Sequence, residues 1–243
     1  MTVNVTKKPV PAEYIGVWQR DLLETATIKD DTSLVLWMQT QQYHIDIRIP
    51  ATLAAIRAVH SLEDYRDEEL LLLASQQGFA GVTQVTPSTA KGSDICQWHR
   101  EIDFQPQTDA RDIGKMVFTD ANTVIETGID DAYLEVWQRL ENSQKPYLFE
   151  FTTGKNRKGL AAPAYCMRAG NFVAYARPRQ IILPKIASLI DAIHSIKPAR
   201  DTLLDWLDME ISFGKLVDDK HWKIMHSTLA FKQNLIIRLE SPV

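Results

Sequence analysis

The side chains best suited to chemistry gather around residue 100. Two-residue alternation over Ile95 to Phe104 puts Cys96, Trp98, Arg100, Ile102 and Phe104 on one face of a strand. His99, Glu101 and Asp103 fall on the other. If the apolar face lines an interior, Arg100 points inward, and a buried guanidinium must be paired. Its fork matches a carboxylate, so Arg100 reads either as an anchor for a ligand carboxylate or as a structural or indole-stacking arginine. His99, Glu101 and Asp103, and likewise His44 and Asp46, read as a solvated exterior, because they lack tight metal-ligand spacing. His221 and His226 flank Trp222, but haem also needs an apolar pocket with an open axial side. Gly154 to Gly159 lacks the phosphate-loop spacing and reads as a flexible basic hairpin loop. Gly-x-Ser-x-Gly, His-Glu-x-x-His and Cys-x-x-Cys do not occur, so no catalytic residue, metal or cofactor is assigned.

The elements that must position these residues are mostly strands. Tyr14-Ile-Gly-Val-Trp-Gln-Arg returns as Tyr133-Leu-Glu-Val-Trp-Gln-Arg, with five of seven positions identical at an offset of 119 residues. The near-halving of the chain suggests an internal duplication. Tyr43, Ile45, Ile47 and Ile49 alternate with His44, Asp46 and Arg48 in a half-buried antiparallel strand. Further strands are expected at 79–85, 95–104, 114–119 and 123–127. In the second half they are expected at 132–141, 146–153, 163–168, 171–177, 209–217, 222–229 and 235–239. Two helical stretches interrupt them, 51–77 and 183–207. Ser61 with Asp64 forms a candidate capping box, Gly78 a helix end, and Pro184 a helix start.

The chain has 243 residues, 45% of them hydrophobic and 24% charged, enough to bury a substantial core. A net charge of −4 argues against a nucleic-acid surface. The apolar runs are too short to span a bilayer. With only Cys96 and Cys166, and no apolar leader, a reduced cytoplasmic protein is expected. The two cysteines read as buried thiols, with one disulfide left open.

Many short alternating strands imply a sandwich or barrel. Gly16-Val17-Trp18 resembles the Gly-x-Trp element on the first strand of lipocalins and other calycins. That resemblance implies a Trp plugging a barrel, with a late Arg across its indole. Arg100 and Arg139 are the candidates for the late Arg, and Glu135 replaces the glycine in the second copy. More narrowly, the chain resembles a family named for a yeast protein that interacts with a casein kinase. The resemblance rests on residues 14–25, Trp37-Met-Gln-Thr, Asp46-Ile-Arg-Ile-Pro, Gly78-Phe-Ala-Gly and Trp98-His-Arg-Glu-Ile-Asp-Phe-Gln-Pro. It continues at Asp112-Ile-Gly-Lys-Met, Glu210-Ile-Ser-Phe-Gly and His226-Ser-Thr-Leu. It implies two lipocalin-like barrels in tandem and no established activity.

The expected architecture is therefore mainly β with helical inserts: one barrel over 1–130 and a second over 131–243. The expected function is non-catalytic binding of a small, partly apolar molecule, with a carboxylate as one option. Trp18, Arg20, Trp37, Tyr43, Trp98 and Arg100 are the candidate lining residues. One alternative is a protein partner held by the helical inserts. The other is a calycin-type lyase or isomerase, which requires Arg20, Arg100, Glu101 and Asp103 to share a pocket.

Overall fold

A computed structural model describes residues 8–88 and 92–239. Its first sheet holds β1 (Gly16–Thr25), β2 (Lys29–Asp30), β3 (Leu34–Gln39), β4 (Tyr43–Ile49), β5 (Gln77–Pro87), β6 (Asp94–Asp103), β7 (Asp112–Phe118), β8 (Thr123–Gly128) and β9 (Tyr133–Arg139). The second holds β10 (Tyr147–Lys155), β11 (Ala161–Ala169), β12 (Phe172–Arg177), β13 (Glu210–Asp218), β14 (His221–Ser227) and β15 (Ile236–Arg238). Three helices, α1 (Asp67–Leu73), α2 (Leu189–Ile196) and α3 (Arg200–Leu207), interrupt the strands.

The first sheet closes on itself, because β1 pairs with both β3 and β9. Eight antiparallel strands form a barrel, with two-residue β2 appended to β1. Closure pairs each of these eight strands on both sides, which leaves only short β2 as an edge. The two heptamer copies lie side by side as the closing pair, with Trp18 opposite Arg139 and Arg20 opposite Trp137. Tyr133–Arg139 therefore finishes the first barrel instead of opening a second one, and the expected division at 130/131 falls within the first sheet. The second sheet, β10 to β15, is a curled half-barrel whose two edge strands do not pair with each other. The expectation of two closed barrels is corrected accordingly: the strand assigned to begin the second is used to close the first.

The main core lies between the barrel's outer wall and the second sheet. Leu36, Met38, Ile45, Ile47 and Val82 of the barrel pack with Met167, Phe172, Ala174 and Phe213. The helices fill its margins through Leu70, Leu73, Leu189, Leu203 and Leu207. This arrangement inverts the usual reading of β4. Its apolar residues face outward onto the second sheet, so His44, Asp46 and Arg48 point into the barrel. Tyr43 is likewise outside, stacked on Phe149 with ring centroids 3.6 Å apart.

Local signals held in part. Asp64 accepts the Ser61 backbone N–H at 2.9 Å, but the pair caps a single 3₁₀ turn, Leu62–Asp64. The first helix is only Asp67–Leu73, and Gly78 belongs to β5 instead of a helix end. α2 begins at Leu189, where Ser188 Oγ accepts the Asp191 N–H at 3.0 Å, five residues beyond Pro184. The Ser cap satisfies an orphan amide that proline could not. Cys96 and Cys166 remain thiols. Among the described residues, no helix is long and apolar enough to cross a membrane.

Candidate functional site

The barrel interior is layered. Its closed end is an indole cluster: Trp18 stacks on Trp37 at 6.1 Å, and Trp37 meets Trp98 and Trp137 edge-on at 5.7 and 5.8 Å. The guanidinium of Arg139 lies 4.5 Å from the Trp18 ring and donates to the Ile15 carbonyl at 3.0 Å. Gly16 makes room for it. At φ +142°, with Arg139 carbons 3.2 Å from where a Cβ would stand, no larger residue fits comfortably. Of the two late-strand arginines considered, Arg139 is the one across the indole. Little space remains here: a void of about 10 Å³ lies among Trp37, Trp98, Trp137 and the charged residues above them.

Above the indoles comes a charged layer. Arg20 is buried, donating to Glu135 and Asp30, each at 2.7 Å. Arg48 pairs with Asp46 at 2.9 Å and approaches Glu135 at 3.6 Å. Glu126 and Glu135 stand directly opposite on β8 and β9, a costly pairing if both are ionised. The conflict is resolved asymmetrically. Burial first, and the Glu135 charge second, push the Glu126 carboxyl well above the usual range, so Glu126 keeps its proton. The Tyr133 hydroxyl lies 2.6 Å from it, and Trp137 donates to it at 3.2 Å. Glu135 stays with the arginines.

His44 belongs to the same interior. Its Nδ1 lies 3.0 Å from Thr83 Oγ, and that hydroxyl already donates to Gln39 Oε1 at 2.7 Å. Thr83 therefore accepts, Nδ1 carries the hydrogen, and the buried Nε2 has no partner. Burial first, then the Arg100 and His99 charges, lower its pKa to about 3.

The barrel opens beyond this layer into a cavity of about 1060 Å³. Trp98, Arg48, Arg100, Tyr133 and Glu135 are on its walls. A bulge shapes the wall at Arg100. Gly81 pairs with Arg100 and Ala80 with Ile102, so Glu101 is the extra residue. The strand switches faces there. Ile102 and Phe104 turn out into the main core, while Asp103 swings in beside Arg100 at 3.1 Å. Arg100 also pairs with Asp112 at 2.8 Å and lies over Phe79 at 3.7 Å. Displaced Glu101 accepts a bond from Tyr165 of the second sheet. The bulge requires Gly81, since a Cβ would stand 1.9 Å from the His99 carbonyl oxygen. Gly81→Ala is expected to cost about 3 kcal/mol, because the obstacle is backbone and cannot rotate away. Urea unfolding that shows a loss under 0.5 kcal/mol would contradict this.

Of the residues singled out from sequence, Trp98 and Arg100 line the cavity. Trp18 and Trp37 form its sealed base, and Arg20 supports Glu135 from within the charged layer. Tyr43 is outside the barrel. Arg100, Glu101 and Asp103 do share the cavity, without Arg20. Sequence reasoning missed Arg48, Asp112, Glu126, Tyr133 and Glu135. The β4 alternation did mark Arg48 as opposite the isoleucines, but the polar side was assigned to solvent. The basic Gly154–Gly159 loop is tied down instead of free: Arg157 pairs with Asp205 at 2.8 Å and with Asp201, and Lys158 pairs with Asp205 at 2.7 Å, all on α3.

No family model and no curated protein matches this chain. The solved structure of the uncharacterized protein YLR301w from Saccharomyces cerevisiae resembles it, with a TM-score of 0.58 and 11% sequence identity. The match covers 93% of this chain and 90% of that one. At that identity the likeness is one of fold.

Proposed function

We propose that the barrel is a small-molecule binding module whose ligand is a polar organic cation, held in the open mouth. The observation that carries this reading is the state of the cavity's arginines. Arg48, Arg100 and Arg111 are each already in an ion pair, Arg111 with Asp130 at 2.6 Å. No cavity guanidinium is left over for a ligand carboxylate. Eight carboxyl side chains line the cavity against these three guanidiniums, an excess of four negative charges with Glu126 neutral. Among the described residues, no three His, Cys, Asp or Glu side chains converge as a metal site. An amine-bearing molecule suits the remaining charge, and Trp98 offers it an aromatic face. A volume of this size is ample for a small ligand. The Gly16-Val17-Trp18 strand with Arg139 across its indole supports a lipocalin-like reading of this barrel. The helical-insert alternative is disfavoured, because most apolar side chains of those inserts pack into the core, leaving Leu72 and Ile196 as separate exposed residues.

Isothermal titration at low ionic strength should show spermidine binding and no heat from succinate. The rim variant Asp109→Asn/Asp131→Asn should weaken spermidine about fivefold, on the order of 1 kcal/mol for two exposed charges. Raising salt should weaken it further. Binding of succinate in preference to spermidine, or spermidine binding indifferent to the rim variant, would overturn the reading.

A further inference from the structure

The second sheet carries a separate cavity that the barrel site does not use. It measures about 700 Å³ and reaches from β10, one edge strand, to β15, the other. The curl of the sheet brings both edges to the same space. Its floor is a cross-strand row, Glu150 beside Cys166 and Cys166 beside Tyr175. Trp222, Ile224 and Leu239 supply a buried apolar wall. These side chains belong to their own small cluster, distinct from the core between the sheets.

The charges here have the opposite character to those of the barrel mouth. Lys232 is held by Glu210 at 2.6 Å, so that pair is internally neutral. Lys155 and Arg238, both exposed on the rim, make no ion pair among the described residues. Glu150 is the remaining charge facing the space, which leaves one net positive charge.

We propose that this slot is a second, independent binding site, for a small molecule with an apolar body and one carboxylate. The body lies against Trp222, Ile224 and Leu239. The carboxylate meets Lys155 and Arg238 at the rim. An apolar floor with a few convergent polar groups is the common composition of such sites.

Cys166 makes the proposal testable in the unmodified chain. It is half-buried on the slot floor, while Cys96 is fully buried inside the barrel. N-ethylmaleimide should therefore label one thiol of the native protein. Decanoate should slow that labelling at least tenfold, and decylammonium should not. In the variant Lys155→Glu/Arg238→Glu, whose two sites are on the surface, protection should require at least tenfold more decanoate. Native mass spectrometry reads the same question without the thiol: one retained decanoate in the wild type, none in the variant. Unprotected labelling at saturating decanoate, equal protection by decylammonium, or no retained decanoate would each overturn the proposal. Spermidine should leave Cys166 labelling unchanged, so failure of the barrel reading and failure of this one are separable.

Discussion

Arg20→Met should destabilise the protein by about 3 kcal/mol, and adding Glu135→Leu should recover most of that loss. Arg20 is buried and bonds Glu135 and Asp30, each at 2.7 Å. Removing it alone strands the Glu135 carboxylate, which is also buried and keeps only Arg48 at 3.6 Å. An uncompensated buried charge typically costs about 3–5 kcal/mol, and Arg48 relieves part of it. Asp30 is less exposed to the loss. Burial works to raise its pKa, but hydrogen bonds from Ser33 and Thr32 outweigh burial and hold it at about 2. The double variant removes the stranded charge, and burial, the larger cause, still holds the Glu126 carboxyl above its usual range. Apolar replacement of a complete buried pair is often neutral. Denaturant unfolding at pH 7 measures all three proteins. A single variant within 1 kcal/mol of wild type, or a double variant no better than the single, would show that the charged layer is not coupled in this way.

His44 should make the fold acid-sensitive through a window from about pH 6.5 to about pH 3. In the unfolded chain its imidazole takes a proton near 6.5, whereas in the barrel burial holds it off until about 3. Between those limits the unfolded state binds more protons, so stability rises with pH and is lost on acidification. The contribution is fully present above pH 6.5. Its slope approaches about 1.4 kcal/mol per pH unit, for a total on the order of 5 kcal/mol by pH 3. The structural reason is the orphaned Nε2, where an added proton would find no acceptor. Other groups titrate in the same range. The lowered Asp30 and Glu69 act in the same direction, while the raised Asp46, Asp103 and Glu126 oppose it. His44 is isolated by difference, using His44→Phe, which keeps a ring against Phe79. Wild type and variant should diverge progressively as pH falls from 6.5 to 3. Parallel stability curves would refute the assignment.

The strand layout was largely legible from sequence, because period-two alternation and turn residues are local. The observed strands fall within a few residues of those expected, and α2 and α3 both lie within the expected 183–207 stretch. The helices were legible less well. Residues 51–77 have helical composition, yet most of that stretch forms 3₁₀ turns and loops, with one short helix. Helices this short depend on tertiary packing more than on propensity. Within the site, Trp98 and Arg100 were found because they share a face with Cys96. Glu126, Tyr133 and Glu135 were not, because nothing along the chain shows that β8 and β9 would line the same interior.

The repeated heptamer shows where local information stops. Its two copies announced two like strands, each placing an indole and a guanidinium on one face, and both sets do point into the barrel. Whether such strands begin two barrels or close one depends on which edges meet. That is decided by hydrogen bonding between strands 121 residues apart, with Trp18 set against Arg139. The same holds for inside and outside. Alternation separates the isoleucines of β4 from His44, Asp46 and Arg48, but it does not say which side is solvent. Once the second sheet covers the barrel's outer wall, the apolar side faces that sheet and the charged side is enclosed. The polar interior follows from that sandwich, and only the tertiary structure supplied it.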